Sequence, residues 1–203
     1  MVSRNDTSFS VTLCRPWKNR AIAHANGYSD TYIFLCGVFV VLVSLTTLGT
    51  YVMLVPEDAV PHFDISLLAT VLFNMVLGEI SFTLCHKWLH EVKPELHRYH
   101  HCAVHSSFST NYMFHPVDIL IELSIPATIP LLTYLLLNPD EFAYKVTLTI
   151  ISVWYSFDHD ETLGLPHVAH HHYINSNYSI YIKNSKFNPE DKLKRLVFRP
   201  DSK

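Results

Sequence analysis

The sequence predicts an all-α integral membrane protein, a four-helix bundle with a histidine-rich helical cap on its cytosolic side. Three observations predict it. Four apolar runs are spread over 203 residues, a length suited to one domain. Most of the fourteen histidines gather beside those runs. The basic residues fall almost wholly on one side of them.

The lead, residues 1–31, is polar and mixed, without periodicity. The first run, Tyr32 to Val55, has no formal charge over two dozen residues, long enough to cross a bilayer as a helix. It is too long and too far from the N-terminus to resemble a cleaved signal peptide. The second run, about 65–85, is interrupted by Asn74 and Glu79. The third, 117–137, holds Asp118 and Glu122 near its start and Pro126 and Pro130 inside. The fourth, about 142–157, is shorter and carries Lys145; the last two runs either span or form a re-entrant hairpin. Together they make a membrane domain over 32–180, followed by a basic tail, 181–203.

Lys and Arg are held on the cytoplasmic side of a membrane. The lead has Arg4, Arg15, Lys18 and Arg20; the histidine stretch has Lys87, Lys93 and Arg98; the tail has seven more basic residues. The connection between the first two runs has none. Both termini and both histidine regions are therefore expected on the cytosolic face, in the endoplasmic reticulum if the cell is eukaryotic. The net charge of −3 says little, because local clusters cancel, and no nucleic-acid-binding pattern is present. Cys14, Cys36, Cys85 and Cys102 have no pairing rhythm, which argues against a disulfide framework; Cys102, beside His101, is at most a spare ligand.

Seven of the fourteen histidines lie between His86 and His115. His86 and His90 are four apart, and His97, His100 and His101 stand at i, i+3 and i+4, so on a helix each set falls on one face. His167, His170 and His171 repeat that spacing, with His159 upstream and His172 just after. Two such boxes suggest two helices whose faces meet around one centre. Imidazole suits iron, zinc, copper or nickel, and eight box histidines are too many for one tetrahedral zinc and about right for two metals. His105, four after His101, is a candidate ligand or hydrogen-bond partner. His115, before Pro116 at the start of the third run, faces back toward the metal region and is expected to belong to the site. Glu79 lies two helical turns before His86 and is expected to accept a ring N–H from a ligand histidine. Asp158 is placed to orient an imidazole or to meet water, and Asn177 and Tyr178 to close the site by hydrogen bonds.

In order along the chain, Glu79, HxxxH at His86 and His90, HxxHH at His97, His100 and His101, HPVD at His115 to Asp118, HxxHH at His167, His170 and His171, and the pair Asn177-Tyr178 resemble the fatty acid hydroxylase superfamily. That superfamily includes sterol desaturases, methylsterol monooxygenases and sphingoid-base and fatty acid hydroxylases. The resemblance covers roughly residues 65–180. It implies a membrane-bound oxidoreductase with two iron ions held almost wholly by histidine, zinc being able to replace iron in purified material. It also implies O2 as oxidant, a lipid substrate and a cytochrome b5-type electron donor with its NAD(P)H reductase. After the NY pair the chain departs from the family pattern, which leaves the closure over the site and the ligand number open. The alternatives are an inactive member, or a histidine-rich membrane protein that binds or transports metal. A zinc protease is disfavoured, because no HExxH is present.

Overall fold

Asp64 and Asp140 stand just ahead of the second and fourth apolar runs, and each caps a helix. Asp64 Oδ1 accepts from Leu67 N at 2.9 Å and Asp140 Oδ1 from Ala143 N at 2.8 Å, satisfying amides that a helix leaves open at its start. The computed structural model describes residues 9–54, 60–104, 108–137, 140–159, 166–172 and 178–180, and every element among them is a helix. His105, Asn177 and the basic tail lie outside the described residues.

The lead contains a helix, α1, Phe9–Ala25. There follow α2, Asp30–Met53; α3, Ile65–Val92; α4, Pro94–His97; α5, Pro116–Ile119; α6, Ile125–Leu137; α7, Glu141–Phe157; and α8, Pro166–His172. Short 3-10 turns cover His100–Cys102 and Phe108–Tyr112. Three helices are long and apolar enough to cross a membrane: α2, α3 and the continuous Pro116–Leu137 helix formed by α5 and α6. Their outward side chains are apolar as well, including Phe34, Leu45, Leu72, Val76 and Leu84, a surface that suits lipid and would be penalised in water. The fourth run, α7, is not among them. Its 17 residues at about 1.5 Å each reach roughly 25 Å, short of a hydrocarbon core of about 30 Å.

Helix α3 organises the rest. Leu67, Val71, Asn74, Gly78, Phe82, His86 and Leu89 are buried at intervals of three and four, one stripe of a 3.6-residue helix. That stripe faces α6 and α7. At its lower end Leu67 and Val71 pack on Ala143, and at its upper end it carries the first two histidines beyond the apolar run. Pro94 stops it, since a residue before proline is pushed out of the α region; Lys93 duly has φ −135° and ψ 51°.

Between α5 and α6 the helix widens into a π turn, Leu120–Ser124. Pro126 has no N–H to offer the Glu122 carbonyl four residues back, and a widened turn is a common way for a helix to absorb such a defect. The turn keeps Asp118 and Glu122 both buried on the side that faces the histidines. Above it, Val40 of α2 packs on Phe114 and Ile119. Ala23 of α1 and Cys36 of α2 pack on Tyr99 and Cys102, so the start of the chain closes over the first HxxHH box.

Candidate metal centre

The histidines gather at one end of the bundle, in two clusters. The first holds His86, His90, His97, His101 and His170, and the second His100, His159, His167 and His171; within each, one nitrogen per ring lies within 4.8 Å of the others. Each HxxHH box is divided. The outer pair of the first box joins one cluster while its middle histidine joins the other, and the second box does the reverse. The sequence suggested one face per box around one centre. The first box spans the end of α4 and a 3-10 turn at His100, whereas the second lies on one helix, α8, so the division follows from the rings each histidine packs against and not from the local backbone.

Ring tautomers follow from what the outer nitrogens meet. His86 Nδ1 faces the Tyr178 carbonyl at 3.0 Å and His100 Nδ1 the Met113 carbonyl at 3.3 Å. His97 Nδ1 is 3.0 Å from both oxygens of Asp118, and the Asp158 carboxylate lies against His159 Nδ1. Carbonyls and carboxylates only accept, so each of these rings carries its proton on Nδ1 and turns an Nε2 lone pair inward.

Inside the clusters the Nε2 atoms crowd together. His90 Nε2 is 3.2 Å from His86 Nε2, 3.0 Å from His101 Nε2 and 2.9 Å from His170 Nε2. One ring nitrogen offers one proton or one lone pair, so it cannot make three hydrogen bonds. In the second cluster His100 and His159 Nε2 are 3.1 Å apart, two lone pairs face to face. His97 Nε2 and His171 Nε2 are buried with no hydrogen-bond partner among the described residues. A cation between the rings resolves all of these. Donors about 2.1 Å from a shared ion lie about 3.0 Å apart when they subtend a right angle and about 3.4 Å apart in a tetrahedron. The observed spacings match the former, and five donors also exceed a tetrahedral set.

Burial holds His97, His100, His101, His167 and His171 well below the ordinary histidine range, and their mutual proximity adds to it. They stay neutral, the form that binds metal. The unfolded chain takes up protons at these rings as pH falls below about 6.5, whereas the folded chain does not. These rings therefore contribute stability that is lost on acidification through pH 6 and 5, opposed in part by the Asp158 carboxyl, whose pKa burial raises. Thermal unfolding in detergent across pH 8 to 5 checks this, and an unchanged midpoint would count against it.

Three other candidates, Glu79, His115 and Cys102, lie outside the two clusters. Glu79 is buried at 4% exposure, but seven residues put it about 10 Å below His86 along the helix. The carboxylate beside His86 is Glu122, with Oε1 at 3.5 Å, and its Oε2 is 3.6 Å from His97 Nδ1. His115 lies outside both clusters and caps α5, its Nδ1 accepting from Val117 N at 3.1 Å. Cys102 is no ligand, since its Sγ donates to the Arg98 carbonyl at 3.7 Å. His172 ends α8, and its side chain lies outside what is described. Tyr178, expected to close the site by hydrogen bonds, does so through its backbone carbonyl on His86 Nδ1, whereas Glu122 and the Met113 carbonyl were missed. Glu122 was legible, four residues after Asp118 and so on its face, and a carboxylate in an apolar run marks function by default.

Beneath the clusters lies a cavity of about 190 Å³. Phe82, Phe114, Leu123, Ala127, Leu148 and Ile151 give it an apolar wall, and Glu122 and Asp158, which hold ligand rings, reach its lining. Phe82 stands edge-on to His86 and His167, and Phe114 stacks on His100 at 4.1 Å. Two aromatic rings thus form the partition between the cavity and the histidines. Compared with models of known protein families, with curated proteins and with solved structures, the chain matches none.

Proposed function

We propose that this protein is a membrane-bound oxidoreductase in which two histidine-held iron ions use O2 to hydroxylate or desaturate a lipid. The reading is carried by one observation: two all-histidine clusters, with inward lone pairs, set directly above an apolar cavity between membrane-length helices. The motif order that resembles the fatty acid hydroxylase superfamily supports the same reading. We take α7 as the fourth helix of the bundle, the histidines as cytosolic, and a cytochrome b5-type donor with its NAD(P)H reductase as the electron source.

When bound, the irons would supply the oxidising chemistry for an unactivated C–H bond. The chain does the rest. His86, His90, His97, His101 and His170 would hold one ion, and His100, His159, His167 and His171 the other. Asp118, Asp158 and the Met113 and Tyr178 carbonyls keep the protons of their partner rings on Nδ1, so Nε2 stays free to coordinate. The apolar wall binds an alkyl segment and excludes water. Ser44, Thr47, Asn111, Ser152 and Tyr155 provide the few polar contacts that fix its position. A metal carrier would need ligands along a path through the membrane, whereas these clusters sit together at one end of the bundle.

Metal analysis of the purified protein, paired with lipid profiling of cells that express it, tests the proposal. About two irons per chain and a new oxygenated or unsaturated lipid support it. One tightly held zinc with an unchanged lipid profile would sink it. Filling the cavity separates substrate from metal: Ala127→Phe should abolish the lipid product and leave the metal content unchanged. Loss of both together would mean the cavity is merely part of the core.

A further inference from the structure

We infer that the two clusters fill in order, the five-histidine cluster first, because its ion docks α8 through His170 and docked α8 completes the other. This rests on the metal-centre reading above.

Helix α8 has seven residues, PHVAHHH, about half the length at which a helix sustains itself in water. It buries His167, His170 and His171 completely, and among the described residues its one buried aliphatic side chain larger than alanine is Val168. Its hold on the bundle is therefore made mostly of imidazoles. Buried imidazole nitrogens without partners oppose docking; His167 Nδ1 and both nitrogens of His171 are in that position among the described residues. Coordination reverses the balance, since a metal binds the folded arrangement and so stabilises it.

The two clusters depend on α8 unequally. Without it the first keeps His86 and His90 from α3 and His97 and His101 from the 94–102 segment, a set of four. The second keeps only His100 and His159. His170 is the link: its Nε2 lies 2.9 Å from His90 Nε2 and 3.1 Å from His101 Nε2, so an ion among those rings draws it in. His170 and His171 are adjacent and His167 is one turn away, so fixing the first brings the other two to His100 and His159. By linkage the second ion must in turn tighten the first.

The test is a zinc titration of the full-length, metal-free protein in detergent, followed by native mass spectrometry and by hydrogen exchange over residues 166–172. One equivalent of zinc should protect 166–172 in the wild type and equally in His159→Ala, where the second cluster is broken. It should give no protection in His170→Ala, and there the second zinc should bind at least tenfold more weakly although His170 belongs to the other cluster. Should His170→Ala fail to fold, the wild type decides alone: protection of 166–172 must be complete before the second ion binds. Protection that appears only with the second ion, or a second-ion affinity unchanged in His170→Ala, overturns the ordered filling and leaves the metal reading standing. A chain that binds no zinc, iron or cobalt overturns both.

Discussion

His100→Ala is expected to cost the protein the ion of its four-histidine cluster and to reduce lipid oxidation to background. His100 is fully buried, its ring stacks on Phe114, and its Nε2 faces His159 Nε2 at 3.1 Å. Alanine removes a donor from a set of four and opens a void beside Phe114, so coordination and packing fail together. Three measurements make the result specific: iron per chain, lipid product, and thermal midpoint with and without added metal. His24→Ala is the control, because His24 pairs with Asp30 at 2.9 Å outside both clusters; it should leave iron and product unchanged. His115→Ala separates two roles. As a helix cap its loss costs about 1 kcal/mol of stability and no metal, whereas a ligand would take iron with it. Full iron content in His100→Ala would remove the basis of the proposed function.

Asp118→Ala is expected to weaken metal binding by about 10- to 100-fold, although Asp118 coordinates nothing in the proposed arrangement. Both its oxygens lie 3.0 Å from His97 Nδ1, and the residue is fully buried. Without it the ring keeps a buried N–H with a weaker acceptor and loses the orientation that points Nε2 at its cluster. Glu122, at 3.6 Å from the same nitrogen, is the only carboxylate among the described contacts placed to substitute. Removing both should therefore cost more than the sum of the two single changes, a coupling that a double-mutant cycle measures. Competition for zinc against a chelator reads the affinity directly, independent of turnover. An affinity unchanged in Asp118→Ala would mean that His97 is positioned by packing alone.

Local chemistry carried much of this protein into view. An unbroken apolar run acts over a few residues, so α2 and α3 could be read from the chain. The residue type of the site was legible too: eight histidines at three- and four-residue spacing leave few uses other than metal. Partnership was not. Spacing places His97, His100 and His101 near one another, but the rings brought against them from α3, the end of α7 and α8 decide which ring serves which cluster.

Glu79 and Glu122 show the same limit. Both are carboxylates in apolar runs, equally conspicuous as letters. Helical rise puts Glu79 far down the bundle, while the widened turn before Pro126 brings Glu122 up beside His86 and His97. The sequence by itself determined the all-helical character, the membrane-length segments and an imidazole-rich site. Only the tertiary structure decided which histidines share a cluster, that each box lends its middle histidine to the other, and which acceptors fix the rings. Those choices depend on contacts between residues up to ninety-two positions apart, such as His86 and Tyr178, and no local pattern encodes a distance of that kind.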